Sequence, residues 1–110
     1  MSIFGALHVQ IRQRLPKEAQ RGCEAIERFA RQAILGYGEY QTTLAINYVV
    51  GVWAANQVER GLVIVTKNDH LFMVRGAEVA TRTMNEETRR SADACVEKLV
   101  EQGQILKLEE

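Results

Sequence analysis

Arginine and hydroxyl side chains cluster in the C-terminal third of the chain, and these residue types are suited to binding nucleic acid. Arg89 and Arg90 are adjacent, and Arg82 lies shortly before them. An arginine can donate two hydrogen bonds to the O6 and N7 atoms of guanine, and a hydroxyl group can donate to a phosphate oxygen. The predicted DNA-contacting residues are Arg82, Thr83, Thr88, Arg89, Arg90, Ser91 and Lys67.

The sequence contains no comparable pattern of residues that indicates catalysis. The chain has no GxSxG, HExxH, GxxxxGK[ST] or GxGxxG pattern, and His8 and His70 are far apart. Cys23 and Cys95 stand alone in helical patterns, without the CxxC or Cys/His spacing of a zinc site. We therefore predict that the protein is not an enzyme and needs no metal or cofactor.

The charges are balanced overall but unevenly placed. Fourteen Lys and Arg residues offset fourteen Asp and Glu residues, which gives a formal net charge of zero. Residues 1–35 carry six bases and three acids, whereas residues 76–110 carry five bases and eight acids. A nucleic-acid-binding protein usually has a basic excess, so the balance counts against DNA binding. The basic N-terminal third fits ordinary solvated helix faces, a phosphate-binding surface or a head-to-tail contact.

Apolar residues recur at helical spacing through the first third of the chain. Residues 3–14 predict a short helix. Residues 17–35 form the clearest helical pattern, and Pro16 suits the first turn of that helix. Gly36-Tyr37-Gly38 predicts its end, because glycine readily takes the left-handed conformation of a helix stop.

Residues 42–60 predict a second long helix that is apolar on almost every side, with a strand as the alternative because several residues are β-branched. Such a helix is either central in a fold or covered by another chain. A protein of 110 residues offers little chain to wrap it completely. We therefore predict homodimerisation through part of this helix. The predicted interface residues are Tyr48, Val49, Val52 and Trp53.

Residues 62–75 predict a β-hairpin. Leu62 to Thr66 is a β-rich run, and an apolar run returns from Leu71 to Val74. Between them, Lys67-Asn68-Asp69 has residue types that tolerate the backbone conformation of a tight turn.

The remaining chain predicts two helices and a strand. Residues 77–84 fit a short helix, and Asn85 is suited to cap a longer helix over residues 86–102. Gly103 ends that helix, and residues 105–108 predict a short final strand.

The stretch from Ala77 to Ile105 resembles a winged helix-turn-helix. In that DNA-binding superfamily, a supporting helix and a tight turn precede a recognition helix that enters the major groove. The resemblance implies a supporting helix at residues 78–84, a turn at Asn85 and a recognition helix at residues 86–102. It favours double-stranded DNA as the partner.

The predicted fold class is therefore α+β: a winged-helix-like domain of four to five helices with a β-hairpin and a short C-terminal strand. One domain spans residues 1–110, with N-terminal helices in residues 1–41 and the helix, hairpin and helix-turn-helix-like unit in residues 42–110. The predicted function is a small, dimeric, transcriptional-regulator-like protein, of the size carried by mobile elements.

Three alternatives stay open at this point. In a second register, residues 17–35 and 42–60 form the helix pair and the hairpin forms the wing. Its wing contacts would be Lys67, His70 and Arg75. A second alternative is a protein-interaction module, such as an inhibitor or adaptor, with no nucleic-acid binding. A third is an enzyme subunit or small-ligand sensor with a pocket lined by aromatic residues. Those residues would be Tyr37, Tyr40 and Trp53.

Two sequence features bear on the location of the protein. No basic stretch followed by an apolar core is visible at the start of the sequence. The longest apolar stretch, from Leu44 to Ala55, is interrupted by Asn47 and is too short to span a bilayer. We therefore expect a cytoplasmic protein without a membrane partner.

Overall fold

The computed structural model describes residues 7–107, which form five α-helices connected by short loops. The helices are α1 (Leu7–Arg14), α2 (Lys17–Ala33), α3 (Gly38–Glu59), α4 (Lys67–Thr83) and α5 (Glu86–Glu101). Residues 7–107 contain no β-strand, so the prediction of an α+β winged-helix fold is wrong. A winged helix requires a sheet, and this part of the chain has none.

Helix α3 lies at the centre and packs against all four other helices. Around it, α4 is next to α1, α1 is next to α2, and α2 is next to α5. One core cluster includes residues from every helix. The ring around α3 is open between α4 and α5, and this opening forms a groove along α3.

The central position of α3 explains why its sequence is apolar on almost every side. Twelve of its residues are buried, including Leu44, Ile46, Val50 and Ala54. The premise of the dimer prediction was that a chain of this length cannot wrap such a helix. That premise is wrong, because four short helices cover most of α3 within one chain.

Three buried amide side chains on α3 hold other segments of the chain in place. Near the middle of α3, Asn47 Oδ1 accepts from the backbone N–H of His8 (3.1 Å). Near the end of α3, Gln57 Nε2 donates to the carbonyl oxygen of Gln104 (3.1 Å). The neighbouring Asn56 side chain forms hydrogen bonds with the backbone of Leu106. Buried polar groups need such partners, so these amides fix where α1 and the C-terminal segment lie on α3.

The predicted hairpin at residues 62–75 is instead a loop followed by the first half of α4. The proposed turn Lys67-Asn68-Asp69 is the first turn of that helix. Thr66 caps it, because its Oγ1 accepts from the backbone N–H of Asp69 (3.0 Å). Residues 62–66 are β-rich, but no strand lies beside them within the described chain. Residues 62–66 therefore belong to the loop that connects α3 to α4.

Two shorter predictions near the C-terminus are also corrected. The predicted helix at residues 77–84 is the second half of the longer α4, not a separate element. The predicted strand at residues 105–108 is irregular through Lys107, and residue 108 lies outside the described residues. Residues 3–6 of the predicted first helix also lie outside them. The helix after Asn85 is confirmed, with Asn85 Oδ1 accepting from the Thr88 backbone N–H (2.8 Å).

Helices α3 and α5 end in the same way. Two positions after the last residue of each helix is a glycine with φ of +75°: Gly61 after α3 and Gly103 after α5. Past each glycine, the next two backbone N–H groups donate to one carbonyl oxygen of the last helical turn, that of Gln57 or of Leu99. This is a Schellman-type ending, which satisfies carbonyl groups that the helix leaves free and reverses the chain direction.

Candidate functional site

The predicted DNA-contacting residues do not form one basic face. Lys67 begins α4, whereas Arg82 is one residue from its end. At 1.5 Å per residue, the two positions are about 22 Å apart along the helix. Thr83 donates its hydroxyl proton to the Val79 carbonyl oxygen of the same helix (2.6 Å). Thr88 is fully buried on the inward face of α5, so it is not available for a surface contact.

The paired arginines are each next to an acidic side chain one turn away. Arg90 forms an exposed ion pair with Glu86 (2.7 Å), and Arg89 lies 3.9 Å from Asp93. Ser91 is half-buried on the same helix. The acidic partners offset the positive charge that phosphate would need, although exposed pairs of this kind are weak. Among the described residues, Arg82 and Lys67 have no ion pair.

An apolar groove runs along α3 where α4 and α5 diverge. It has a volume of about 590 Å³. Tyr48, Gly51, Val52 and Ala55 of α3 form its floor. One wall comes from α4 and the other from α5 and the C-terminal segment. The main apolar wall residues are Val74, Ala77, Val96, Val100, Ile105 and Leu106.

The rim of the groove carries charges of both signs. On the α5 side, Lys107 pairs with Glu97 (2.9 Å), and Asp93 accepts a hydrogen bond from the Tyr48 hydroxyl (2.9 Å). Burial raises the pKa of Tyr48 to about 12, with a further contribution from the hydrogen bond to Asp93. On the α4 side, Glu78 and Arg82 line the groove and have no ion pair among the described residues. A partner with charges at its edges could therefore pair with that side.

The C-terminal segment lines the groove beside α5. Ile105 is buried there, whereas Leu106 is 54% exposed at the edge of the groove. The two hydrogen bonds between the Asn56 side chain and the backbone of Leu106, one in each direction, keep the segment against α3. The groove is therefore a preformed concave surface in which one wall depends on a side-chain clamp.

The predicted dimer residues divide between the interior and this groove. Val49 is fully buried and Trp53 is 5% exposed, so both serve the core of their own chain. Tyr48 and Val52 are half-buried in the groove floor, where a partner could reach them. The sequence therefore singled out the correct helix, but only part of its accessible face.

The predicted aromatic pocket does not form. Tyr40 and Trp53 are thirteen positions apart on α3, which is about 20 Å along the helix. Trp53 lines a second cleft, on the other side of α3, together with residues of α2 and the α3–α4 loop. Neither Tyr37 nor Tyr40 lines either depression.

The reactive side chains are dispersed and held in structural roles. His8 is buried, with its Nδ1 2.9 Å from Asn47 Oδ1, and His70 Nε2 lies 3.5 Å from Glu59. Burial, together with the charge of Glu27, raises the pKa of the Cys23 thiol to about 12. Burial also raises the pKa of Cys95 to about 11. A neutral buried thiol is a poor nucleophile.

Residues 7–107 contain neither a metal-binding cluster nor a membrane-spanning helix. No group of three His, Cys, Asp or Glu side chains there is placed to hold a metal ion. None of the helices has the length and hydropathy required to cross a membrane. Comparisons of the chain with family models, with curated proteins and with solved structures gave no match.

Sequence reasoning missed the groove as a site, although two signals pointed toward it. The apolar face of α5 is wider than its contact with α3 requires. Leu99 is fully buried, and the neighbouring Val96 and Val100 are apolar but only half-buried. Ala55, on the same face of α3 as Val52, is small, which leaves space beside the helix at that position. Neither signal shows that α4 and α5 diverge.

Proposed function

We propose that this protein is a protein-interaction module whose groove between α4 and α5 binds an amphipathic helix of another protein. The observation that supports this proposal is that one side of α3 is not covered by another helix of residues 7–107. Apolar side chains form the floor of the resulting groove, and charged side chains lie along its rim. A helix placed there would complete the ring of helices around α3.

The dimensions of the groove favour a helix as its occupant. The floor runs from Tyr48 to Glu59, which corresponds to about 17 Å, or roughly three helical turns. Ala55 is small, so a bound helix could approach the floor closely at that position. Helix-in-groove recognition commonly uses apolar anchors at positions i, i+3, i+4 and i+7 of the bound helix.

The charges favour a protein partner over DNA. The chain has as many acids as bases, and the arginines of α5 lie next to Glu86 and Asp93. A rim that carries both Glu78 and Arg82 would repel part of a phosphate backbone, but it can complement a peptide with both signs. The proposal therefore takes up the interaction-module alternative.

A binding experiment with a model peptide tests the proposal. The probe is a designed amphipathic helix of about four turns, with Leu at i, i+3, i+4 and i+7. Titration into ¹⁵N-labelled protein should produce saturable shifts at the amides of Val52, Val96 and Val100. Val96→Asp should abolish the binding. Leu35→Asp, a change at a position 72% exposed outside the groove, should leave it intact.

A second titration distinguishes the DNA alternative. Random-sequence duplex DNA at low salt should leave the amides of Arg82, Arg89 and Arg90 unshifted. Salt-dependent shifts at those amides would favour DNA binding and overturn the proposal. So would peptide binding that leaves the groove amides unshifted, or that persists in a folded Val96→Asp variant.

A further inference from the structure

A second apolar surface lies on the opposite side of α3, at the loop between α3 and α4. Exposure alternates along residues 62–66: Leu62, Ile64 and Thr66 are exposed, while Val63 and Val65 are half-buried against the core. This period of two is that of an extended chain, whose successive side chains point to opposite sides. As a result, Leu62 and Ile64 project together, 61% and 87% exposed.

A cleft lies directly beside these projecting residues. Its volume is about 540 Å³. Pro16, Ala19 and Gly22 form one side and Trp53 lies at its base, while the loop itself forms the opposite side. A Cβ atom at Gly22 would come within 3.1 Å of the Trp53 ring, so the glycine leaves room for the indole.

The combination of an apolar projection and an apolar cleft on one surface is what a two-fold interface requires. In such an interface the same patch is used by both copies, so it must contain both the inserting and the receiving element. The loop cannot fill the cleft of its own chain, because it already forms one wall of that cleft. We propose that two copies of this chain associate about a two-fold axis, each inserting Leu62 and Ile64 into the Trp53 cleft of the other.

The charges beside the two elements are complementary. Glu18 lines the cleft, and Lys67 immediately follows the loop. Both side chains are exposed, and neither has an ion pair among the described residues. An inserted loop would bring Lys67 of one copy to the edge of the cleft that carries Glu18 of the other. Opposite charges at such a rim select the correct arrangement more than they add affinity.

This dimer would leave the peptide-binding groove free. Trp53 and Gln57 face the cleft, whereas Tyr48, Val52 and Ala55 face the groove, and these positions lie on opposite faces of α3. The inference therefore goes beyond the proposed function and does not depend on it. A dimer with two free grooves would bind two helices, or one divalent partner, and a divalent partner would gain from the linkage.

Sedimentation of single-site variants tests the dimer. Wild-type protein should show a concentration-dependent monomer–dimer equilibrium with no larger species. Ile64→Asp should raise the dissociation constant by at least roughly 30-fold, as removal of a central apolar anchor does. Leu35→Asp places the same charge at a comparably exposed leucine outside the cleft and should leave the equilibrium unchanged.

A charge exchange tests the arrangement itself. Lys67→Glu alone should weaken the dimer, and so should Glu18→Lys alone. The double variant should recover much of the affinity, because the pair is restored with its signs reversed. Nonspecific association through an apolar surface would not restore the affinity of the double variant.

Disulfide trapping gives an independent reading of the contact. Equimolar Ala19→Cys and Ile64→Cys proteins, mixed with oxidised glutathione, should form a linked heterodimer, and Ala19→Cys with Leu35→Cys should not. The native cysteines are buried and should stay unlinked. A wild-type protein that stays monomeric at every concentration, an Ile64→Asp protein that dimerises normally, or open-ended association would each overturn the proposal.

Discussion

Asn56 pairs with the backbone of Leu106 through both ends of its side-chain amide. Its Nδ2 donates to the Leu106 carbonyl oxygen (2.6 Å), and its Oδ1 accepts from the Leu106 N–H (3.0 Å). A side chain of α3 thus takes the place that a neighbouring strand would occupy. The segment predicted to be a strand is satisfied without a sheet.

Replacing Asn56 should loosen the C-terminal segment and the groove wall that it forms. Asn56→Ala removes two hydrogen bonds at a site where Asn56 is 6% exposed, and we expect a loss of about 1–3 kcal/mol in the free energy of unfolding. Urea denaturation measures it, and hydrogen exchange at the Leu106 amide should accelerate. Asn68→Ala, at an exposed position of α4, is the matched control. Unchanged exchange at Leu106 would contradict the clamp.

Two helical glycines should respond oppositely to the same substitution. At Gly51, a Cβ would lie 3.1 Å from the Met73 carbonyl oxygen and 3.1 Å from the Ala77 Cβ, so backbone blocks it. At Gly76, the nearest atom is a terminal carbon of Leu7 at 3.2 Å, which can move.

Gly51→Ala should therefore lower the free energy of unfolding by about 1–3 kcal/mol, because α3 and α4 must separate. Gly76→Ala should leave it unchanged or raise it by up to about 1 kcal/mol, the usual preference for Ala over Gly in a helix. Thermal unfolding of both variants gives the comparison. Equal effects at the two sites would contradict the close α3–α4 contact.

Thr88 offers a stabilising change. It is fully buried, and its hydroxyl has no hydrogen-bond partner among the described residues. Thr88→Val keeps the branched shape and removes the unpaired hydroxyl, so the free energy of unfolding should rise by about 1 kcal/mol. Thr88→Ser keeps the hydroxyl, loses a methyl group and should destabilise. A destabilised Thr88→Val protein would show that the hydroxyl is satisfied.

The sequence predicted some of the helices of the fold but not the loop between α3 and α4. Apolar periodicity predicted α2 and α5 closely, and Asn85 was correctly identified as a helix cap. The hairpin failed because β propensity at residues 62–66 is local, whereas a strand needs a partner that the described chain does not supply. Thr66 and Asp69 cap the start of α4, whereas the sequence prediction assigned Thr66 to a strand and Asp69 to the turn after it.

The candidate site was less accessible to sequence reasoning than the helices. The apolar character of α3 pointed to a partner, but four helices of its own chain account for most of it. Whether Val52 faces a groove or a neighbouring helix depends on where α4 and α5 diverge, which is a property of packing. The acids beside the α5 arginines are visible in the sequence, but only the structure shows that Arg90 pairs with Glu86 and that Arg89 lies 3.9 Å from Asp93.

The hydrogen bond from Tyr48 to Asp93 predicts a loss of stability at high pH. The pKa of Tyr48 is raised from 10.0 to about 12 in the folded protein, first by burial and then by this hydrogen bond. Between these two values the unfolded chain releases a proton that the folded protein retains, so the free energy of unfolding falls as pH rises. Below the unfolded pKa, the contribution is fully present.

Urea denaturation across this alkaline range measures the effect, and Tyr48→Phe is the control because its ring cannot ionise. The difference in stability between wild type and Tyr48→Phe should shift in favour of the variant as pH rises from 10.0 toward 12. Asp93→Asn should lower the pKa of Tyr48 in a titration of tyrosinate absorbance, since a neutral amide no longer disfavours the phenolate. If the two proteins lose stability in parallel, the proton on Tyr48 is not held by the groove wall, and the contact between α3 and α5 is looser than the 2.9 Å bond implies.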